Sequence, residues 1–124
     1  MAIIRIGVDL AKNVFAVHGV NAAGKVLLTR TVRREQLLEV LAAVPPCIVA
    51  MEACSGAHHW ARRLAALGHA PRILASKFVT PYRMSGKQGK NDANDAAAIC
   101  EAAARPHMRF VPAKTEAQQA LLTV

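Results

Sequence analysis

The chain has 124 residues, 53% hydrophobic and 19% charged, which suits a single domain with its own core and excludes a disordered chain. With aromatics at 4%, that core must come mainly from Val, Ile, Leu and Ala. The balance of 16 Lys+Arg against 8 Asp+Glu gives a net charge of +8, which favours a polyanionic partner such as nucleic acid.

The apolar, β-branched run Ile3–Leu10 predicts a buried strand, and Asn13–Val20 a second one. Asn21-Ala22-Ala23-Gly24 has turn chemistry, and Lys25–Val32 follows as a third strand. Such a meander requires antiparallel pairs. Arg33–Val44 has a helical apolar face and is stopped by Pro45-Pro46. Cys47–Met51 is an apolar run of strand length that ends at Glu52. Gly56–Leu67 predicts a helix with Trp60, Leu64 and Leu67 on one stripe, Ser55 as its N-cap and Gly68 just past its end. Pro71–Ala75 predicts a short strand, and Ser76–Lys90 a short helix running into a basic loop. Asn91–Ala104 is an Ala-rich helix, Phe110-Val111 another short strand, and Thr115–Gln118 has the spacing of a capping box that opens a last helix. A hairpin followed by strands joined through helices predicts an α/β fold, a mixed sheet with helices on both faces. Residues 1–114 would form the domain, and 115–124 the start of a helix leading to a C-terminal region outside this chain.

Cys47, Cys54 and Cys100 are odd in number, lack C-x-x-C spacing and sit in apolar or Ala-rich surroundings. They are expected to be buried thiols of a reducing compartment. The N-terminal apolar run is broken by Arg5 and Asp9, so it is no signal peptide, and no stretch is long enough to span a bilayer. The expected location is cytoplasmic, without a membrane partner.

Four acidic residues stand in unusual places. Asp9 follows the apolar run Ile3–Val8, and Glu52 ends the next core strand. A carboxylate on a buried strand is costly unless it is paired or binds a metal. Asp92 and Asp95 are three apart at a helix start and share one face. If the two strands are neighbours, the carboxylates meet at one sheet edge, where ligands bind in open α/β sheets. Oxygen donors of this kind suit Mg²⁺ or Mn²⁺, and two such ions serve phosphoryl transfer. Without a metal the cluster repels itself. The plainer readings are an N-cap for Asp92, a helix-dipole partner for Asp95 and a solvent-facing strand end for Glu52.

Lys12, Lys77, Arg83, Lys87 and Lys90 are candidate phosphate contacts, with Arg72 beside them; the alternative is a solvated loop. His58 and His59 are adjacent, so on a helix they point about 100° apart and do not easily share one ion. One is expected to pack and the other to be solvated. Trp60 is expected in the core.

The segments GVDLAKNVFAV, MEACSGAHHWARRLAALGH, KNDANDAAAICEAA and RPHMRFVPAKTEAQQALL resemble, in this order, the N-terminal domain of the DEDD insertion-sequence transposases, the "one-ten" family. The resemblance covers nearly the whole chain and places the family's metal-binding catalytic carboxylates on Asp9, Glu52, Asp92 and Asp95. It implies a ribonuclease H-like (RuvC-like) fold, Mg²⁺ (or Mn²⁺), and cutting and rejoining of DNA directed by a structured guide RNA. It also implies homo-oligomers of the full-length protein and a C-terminal domain with a nucleophilic serine. Ser76-Lys77 depart from the family's Pro-Gln, which affects loop contacts and leaves the carboxylates untouched. The competing readings are a stand-alone junction-resolving nuclease of the same fold and a basic nucleic-acid-binding module without catalysis. A third is an actin-like ATP-binding half-domain, disfavoured because Leu10-Ala11, not Gly, follow Asp9.

Overall fold

The computed structural model describes residues 2–11, 13–83 and 92–122. Five strands, β1 (Arg5–Leu10), β2 (Val14–Val20), β3 (Val26–Arg33), β4 (Ile48–Glu52) and β5 (Ala70–Leu74), form one sheet in the order β3-β2-β1-β4-β5. The first three make the antiparallel meander, while β4 and β5 run parallel to β1. The meander turns on Asn21, whose side-chain oxygen accepts the Ala23 and Lys25 N–H groups at 2.9 and 3.0 Å. Gly24 supplies the positive φ of +82° that the turn requires.

Alternation along the strands sorts the core into two layers. Ile6 and Val8 of β1, Val49 and Met51 of β4 and Ile73 of β5 face one side. There they pack against α1 (Leu37–Ala42) and α2 (Ser55–Ala66) through Leu37, Leu41, Trp60 and Leu64. Trp60 meets Phe15 edge to face, with ring centroids 5.4 Å apart. Ala50 and Leu74 face the other side, packing with Val79 of α3 (Ser76–Val79) and with Ala98, Ile99 and Ala102 of α4 (Asp92–Ala103). Helices therefore cover both faces, as the sequence pattern predicts.

The first helix is shorter than its apolar pattern. A 3₁₀ turn at Arg34–Gln36 precedes α1, and the chain leaves the α-helix at Ala42 as it approaches Pro45-Pro46. Ser55 is the first residue of α2, with Cys54 in extended conformation as its cap, so Ser55 is not the N-cap. Cys54 is also exposed, against the expectation of a buried thiol; it lies in the turn between β4 and α2. Cys47 is half-buried and Cys100 buried, and burial pushes the Cys47 thiol up to about 11, which keeps it protonated and unreactive at neutral pH.

α2 ends as its sequence suggests. Gly68, at φ +95°, follows the helix, and the Gly68 and His69 N–H groups return to the Ala65 and Leu64 carbonyls. That turn buries His69, whose ring joins two elements: Nδ1 accepts the Cys47 N–H at 3.1 Å and Nε2 donates to the Leu41 carbonyl at 2.7 Å. One accepting and one donating nitrogen define the neutral Nε2–H tautomer. Phe110-Val111 contributes a single antiparallel bridge, Val111 to Ile73. α5 (Glu116–Leu122) opens on a capping box in which Thr115 and Gln118 exchange side-chain and backbone bonds of 2.8 and 3.1 Å.

Candidate functional site

Asp9 and Glu52 lie at the C-terminal ends of adjacent parallel strands. The register runs Gly7 to Ala50 and Val8 to Met51, so Asp9 and Glu52 each stand one residue past the last paired step. Both carboxylates are two residues beyond groups that face α4: Gly7 for Asp9, Ala50 for Glu52. With a side-chain period of two, they share that face of the sheet.

α4 completes the arrangement because Gly7 lets it approach. A Cβ on Gly7 would fall 2.2 Å from the Ala96 carbonyl oxygen and 2.6 Å from the Cys100 nitrogen. The helix backbone thus rests directly on β1 at Ala96 and Cys100, while Ala98 and Ala102 pack with Ala50 and Leu74. Asp95, adjacent to Ala96, is thereby brought to the sheet edge that carries Asp9 and Glu52.

The join between the elements is Arg83. Its Nη2 donates to Glu52 Oε1 and Oε2 at 2.8 and 2.9 Å, and its Nε to Asp95 Oδ1 at 2.8 Å. Nη1 donates to Thr80 Oγ1 at 3.2 Å. The Glu52 hydrogen bond, more than any other contact, raises the Arg83 pKa above its ordinary value. The three side chains are 22–24% exposed, reachable from solvent yet partly shielded from it.

Of the predicted carboxylates, Glu52 and Asp95 are thus brought together by Arg83, while Asp9 lies at the C-terminal end of the neighbouring strand. α4 begins at Asp92, whose side chain lies outside the described residues. Among the predicted basic contacts, Lys12, Lys87 and Lys90 also lie outside them. Lys77 is exposed on α3, which leaves the C-terminal end of β5 at the same sheet edge. Arg83, predicted as a phosphate contact, is bonded to the acids themselves. Its carboxylate partners were not read from the sequence; the signal was its position among bases in a segment that joins β5 to α4. Among the described residues, no three His, Cys, Asp or Glu side chains are grouped to hold a metal. The guanidinium between Glu52 and Asp95 is the cation of this arrangement. The donors present are carboxylate oxygens, which suit a hard divalent ion, and the space between two of them already accommodates positive charge.

The histidines behave as expected of neighbours on a helix. His58 is buried, with Nδ1 accepting the Lys114 N–H at 3.0 Å, while His59 is exposed and meets Trp60 edge-on.

A family model described as a transposase, of the DEDD type and the IS110 insertion-sequence group, matches residues 6–124. The "probable family 20 transposase" of Pseudomonas aeruginosa is 53% identical over 121 residues, which cover 98% of this chain and 35% of the relative. The transposase of insertion sequence element IS1328 from Yersinia enterocolitica is 49% identical, covering 94% and 34%. That of IS1111A from Coxiella burnetii is 46% identical, covering 92% and 30%. The chain therefore spans about a third of the length of these relatives. Among solved structures, Thermus thermophilus RuvC superposes with a TM-score of 0.61 at 14% identity, over 86% of this chain and 99% of RuvC. The same protein in complex with a Holliday junction substrate gives 0.60 at 13% identity, over 88% and 99%. The fold is ribonuclease H-like, of the RuvC kind. Among the described residues no helix is long and apolar enough to cross a membrane.

Proposed function

The chain belongs to the DEDD transposase family of IS110-type insertion sequences, and from that premise we propose that it supplies the metal-binding catalytic domain of an enzyme that cuts and rejoins DNA. The observation that carries this reading is that Glu52 of β4 and Asp95 of α4 share the Arg83 guanidinium, at the C-terminal end of the strand paired in parallel with the one that carries Asp9.

Asp9, Glu52 and Asp95 are the residues that would hold Mg²⁺ or Mn²⁺, with Asp92 joining them from the same helix. The bound ions would supply charge neutralisation and activation of the attacking oxygen. Asp9, on β1 between β4 and β2, would contribute its carboxylate from the middle of the sheet. Lys77, exposed at the same edge, would take a backbone phosphate, and we assign the same role to Lys12, Lys87 and Lys90. Arg83 would join them once it is released from the acids. The net charge of +8 supports a nucleic-acid substrate, because a basic surface around an acidic centre attracts the strand and leaves the cations to mask the centre. Residues 1–114 form the proposed catalytic unit, with 115–124 leading on. The greater length of the relatives supports a further region that completes recombination; a structured guide RNA and homo-oligomeric assembly belong to the same proposal through the family resemblance.

The test is calorimetric titration of Mn²⁺ into this chain and into Asp9→Asn, repeated with a DNA duplex present. Binding by the parent that is lost in the variant is expected. Equal binding by both proteins would remove Asp9 from the site, and no binding under either condition would leave the carboxylates structural.

A further inference from the structure

The guanidinium of Arg83 uses one edge to span two carboxylates that belong to different elements. Nη2 holds both oxygens of Glu52 on β4, Nε holds Asp95 on α4, and Nη1 is steadied by Thr80. Its backbone is fixed separately, by the Arg83 N–H to the Thr80 carbonyl at 3.1 Å. The main-chain bond does not involve Glu52 or Asp95, so release of the guanidinium from the two acids would not require breaking it.

We propose that Arg83 is a place-holding cation, which occupies the position between Glu52 and Asp95 in the metal-free protein and is exchanged for a divalent ion when one binds. This rests on Asp9, Glu52 and Asp95 being metal ligands. Two arguments support it. Carboxylates brought this close repel one another unless a positive charge lies between them, and Arg83 supplies that charge before any metal arrives, so the ligands are held assembled. The oxygens it occupies are also those a metal would need. Both Glu52 oxygens and Asp95 Oδ1 are engaged, and a divalent ion entering beside a guanidinium would be repelled by it. Metal and Arg83 are thus alternatives at one position. The rival account, a permanent strut tying α4 to β4, predicts no exchange.

The experiment compares Mn²⁺ binding by the unmutated chain, Arg83→Gln and Arg83→Lys. Removing a competitor that makes charge-assisted hydrogen bonds should tighten binding by Arg83→Gln about tenfold or more, with Arg83→Lys between. A second measurement needs no variant beyond assignment. The Arg83 Nε–H resonance of arginine-labelled protein, identified by its loss in Arg83→Lys, should be protected without metal and move to the free-guanidinium position as Mg²⁺ saturates. If the unmutated chain binds metal but Arg83→Gln binds it equally or more weakly, or if the Nε–H signal is unchanged at saturation, Arg83 is a strut and the exchange is refuted. Absence of binding in all three proteins sinks the metal reading and the exchange with it. Should Arg83→Gln fail to fold, the resonance of the unmutated chain decides alone.

Discussion

Gly7 and Ala96 meet backbone to backbone: a methyl group at Gly7 would stand 2.2 Å from the Ala96 carbonyl oxygen. Neither atom belongs to a side chain that can turn away. The contact sets the height of α4 above β1 and, through it, the position of Asp95 relative to Asp9. Gly7→Ala should therefore destabilise the fold at or beyond the upper end of ordinary overpacking, about 3 kcal/mol, and weaken metal binding although no ligand is altered. Urea unfolding and Mn²⁺ titration check both. A variant with unchanged stability would mean that α4 does not lie this close in solution.

The bond between Arg83 and Glu52 should appear as a coupling. In a double-mutant cycle of Arg83→Gln and Glu52→Gln without metal, the interaction energy is expected at about 1–3 kcal/mol. It should shrink when Mg²⁺ saturates. A coupling near zero in both conditions would show that the pair contributes nothing in solution, as many exposed ion pairs do.

His69 joins β4's approach to α1, bonding the Cys47 N–H and the Leu41 carbonyl from a buried ring. His69→Ala leaves both backbone groups without partners, each at a cost of about 1–3 kcal/mol. The unfolding midpoint in urea should fall accordingly, with Mn²⁺ affinity unchanged because the carboxylates are at the opposite end of β4. Loss of affinity in step with stability would contradict that separation.

Acid should destabilise the chain through its histidines. Burial lowers the pKa of His18. Burial, then Lys114 and Arg62, lowers that of His58. Burial, then Arg63, Arg62 and Arg34, lowers that of His59, with Glu116 opposing. A depressed folded value means that the unfolded chain takes up protons first. Stability is then full above the ordinary value of 6.5 and falls as pH drops from there through the lowered folded values. Unfolding midpoints measured between about pH 8 and pH 5 should be level above the histidine range and decline below it. Protonating His58 at Nδ1 also breaks its bond from Lys114. His58→Gln, which keeps an acceptor that does not titrate, should flatten part of the decline; an identical decline would remove His58 from the account.

Much of this was legible in the sequence for identifiable reasons. Asp9 and Glu52 stand out because each ends an apolar run whose period places it on a core strand. The parallel pairing that sets them side by side follows from a helix joining β3 to β4. Asp95 is legible from its spacing to Asp92. What escaped depends on tertiary route. Gly7 reads as an ordinary strand glycine until α4 is laid on it. Arg83 reads as one base in a basic segment, because its acid partners are 31 and 12 residues away. His69 carries no local signal at all, since its two bonds go to segments 22 and 28 residues distant. The end of α1 was overextended because its apolar face continues to Val44, while the backbone had to straighten for Pro45-Pro46.

α5 and the residue Lys114 ahead of it are tied to α2 by three bonds: Lys114 N–H to His58, Arg62 to the Lys114 carbonyl, and Gln119 to the Ser55 carbonyl at 3.0 Å. α2 starts three residues after Glu52, whereas Asp95 belongs to a helix seated on the other face. The two halves of the acidic centre therefore hang from different handles. A pull on α5 reaches Glu52 through α2, and it reaches Asp95 only by way of the Arg83 guanidinium and the packing of α4 on β4, so a load at the C-terminal end of the domain falls first on the Glu52 side of that bond.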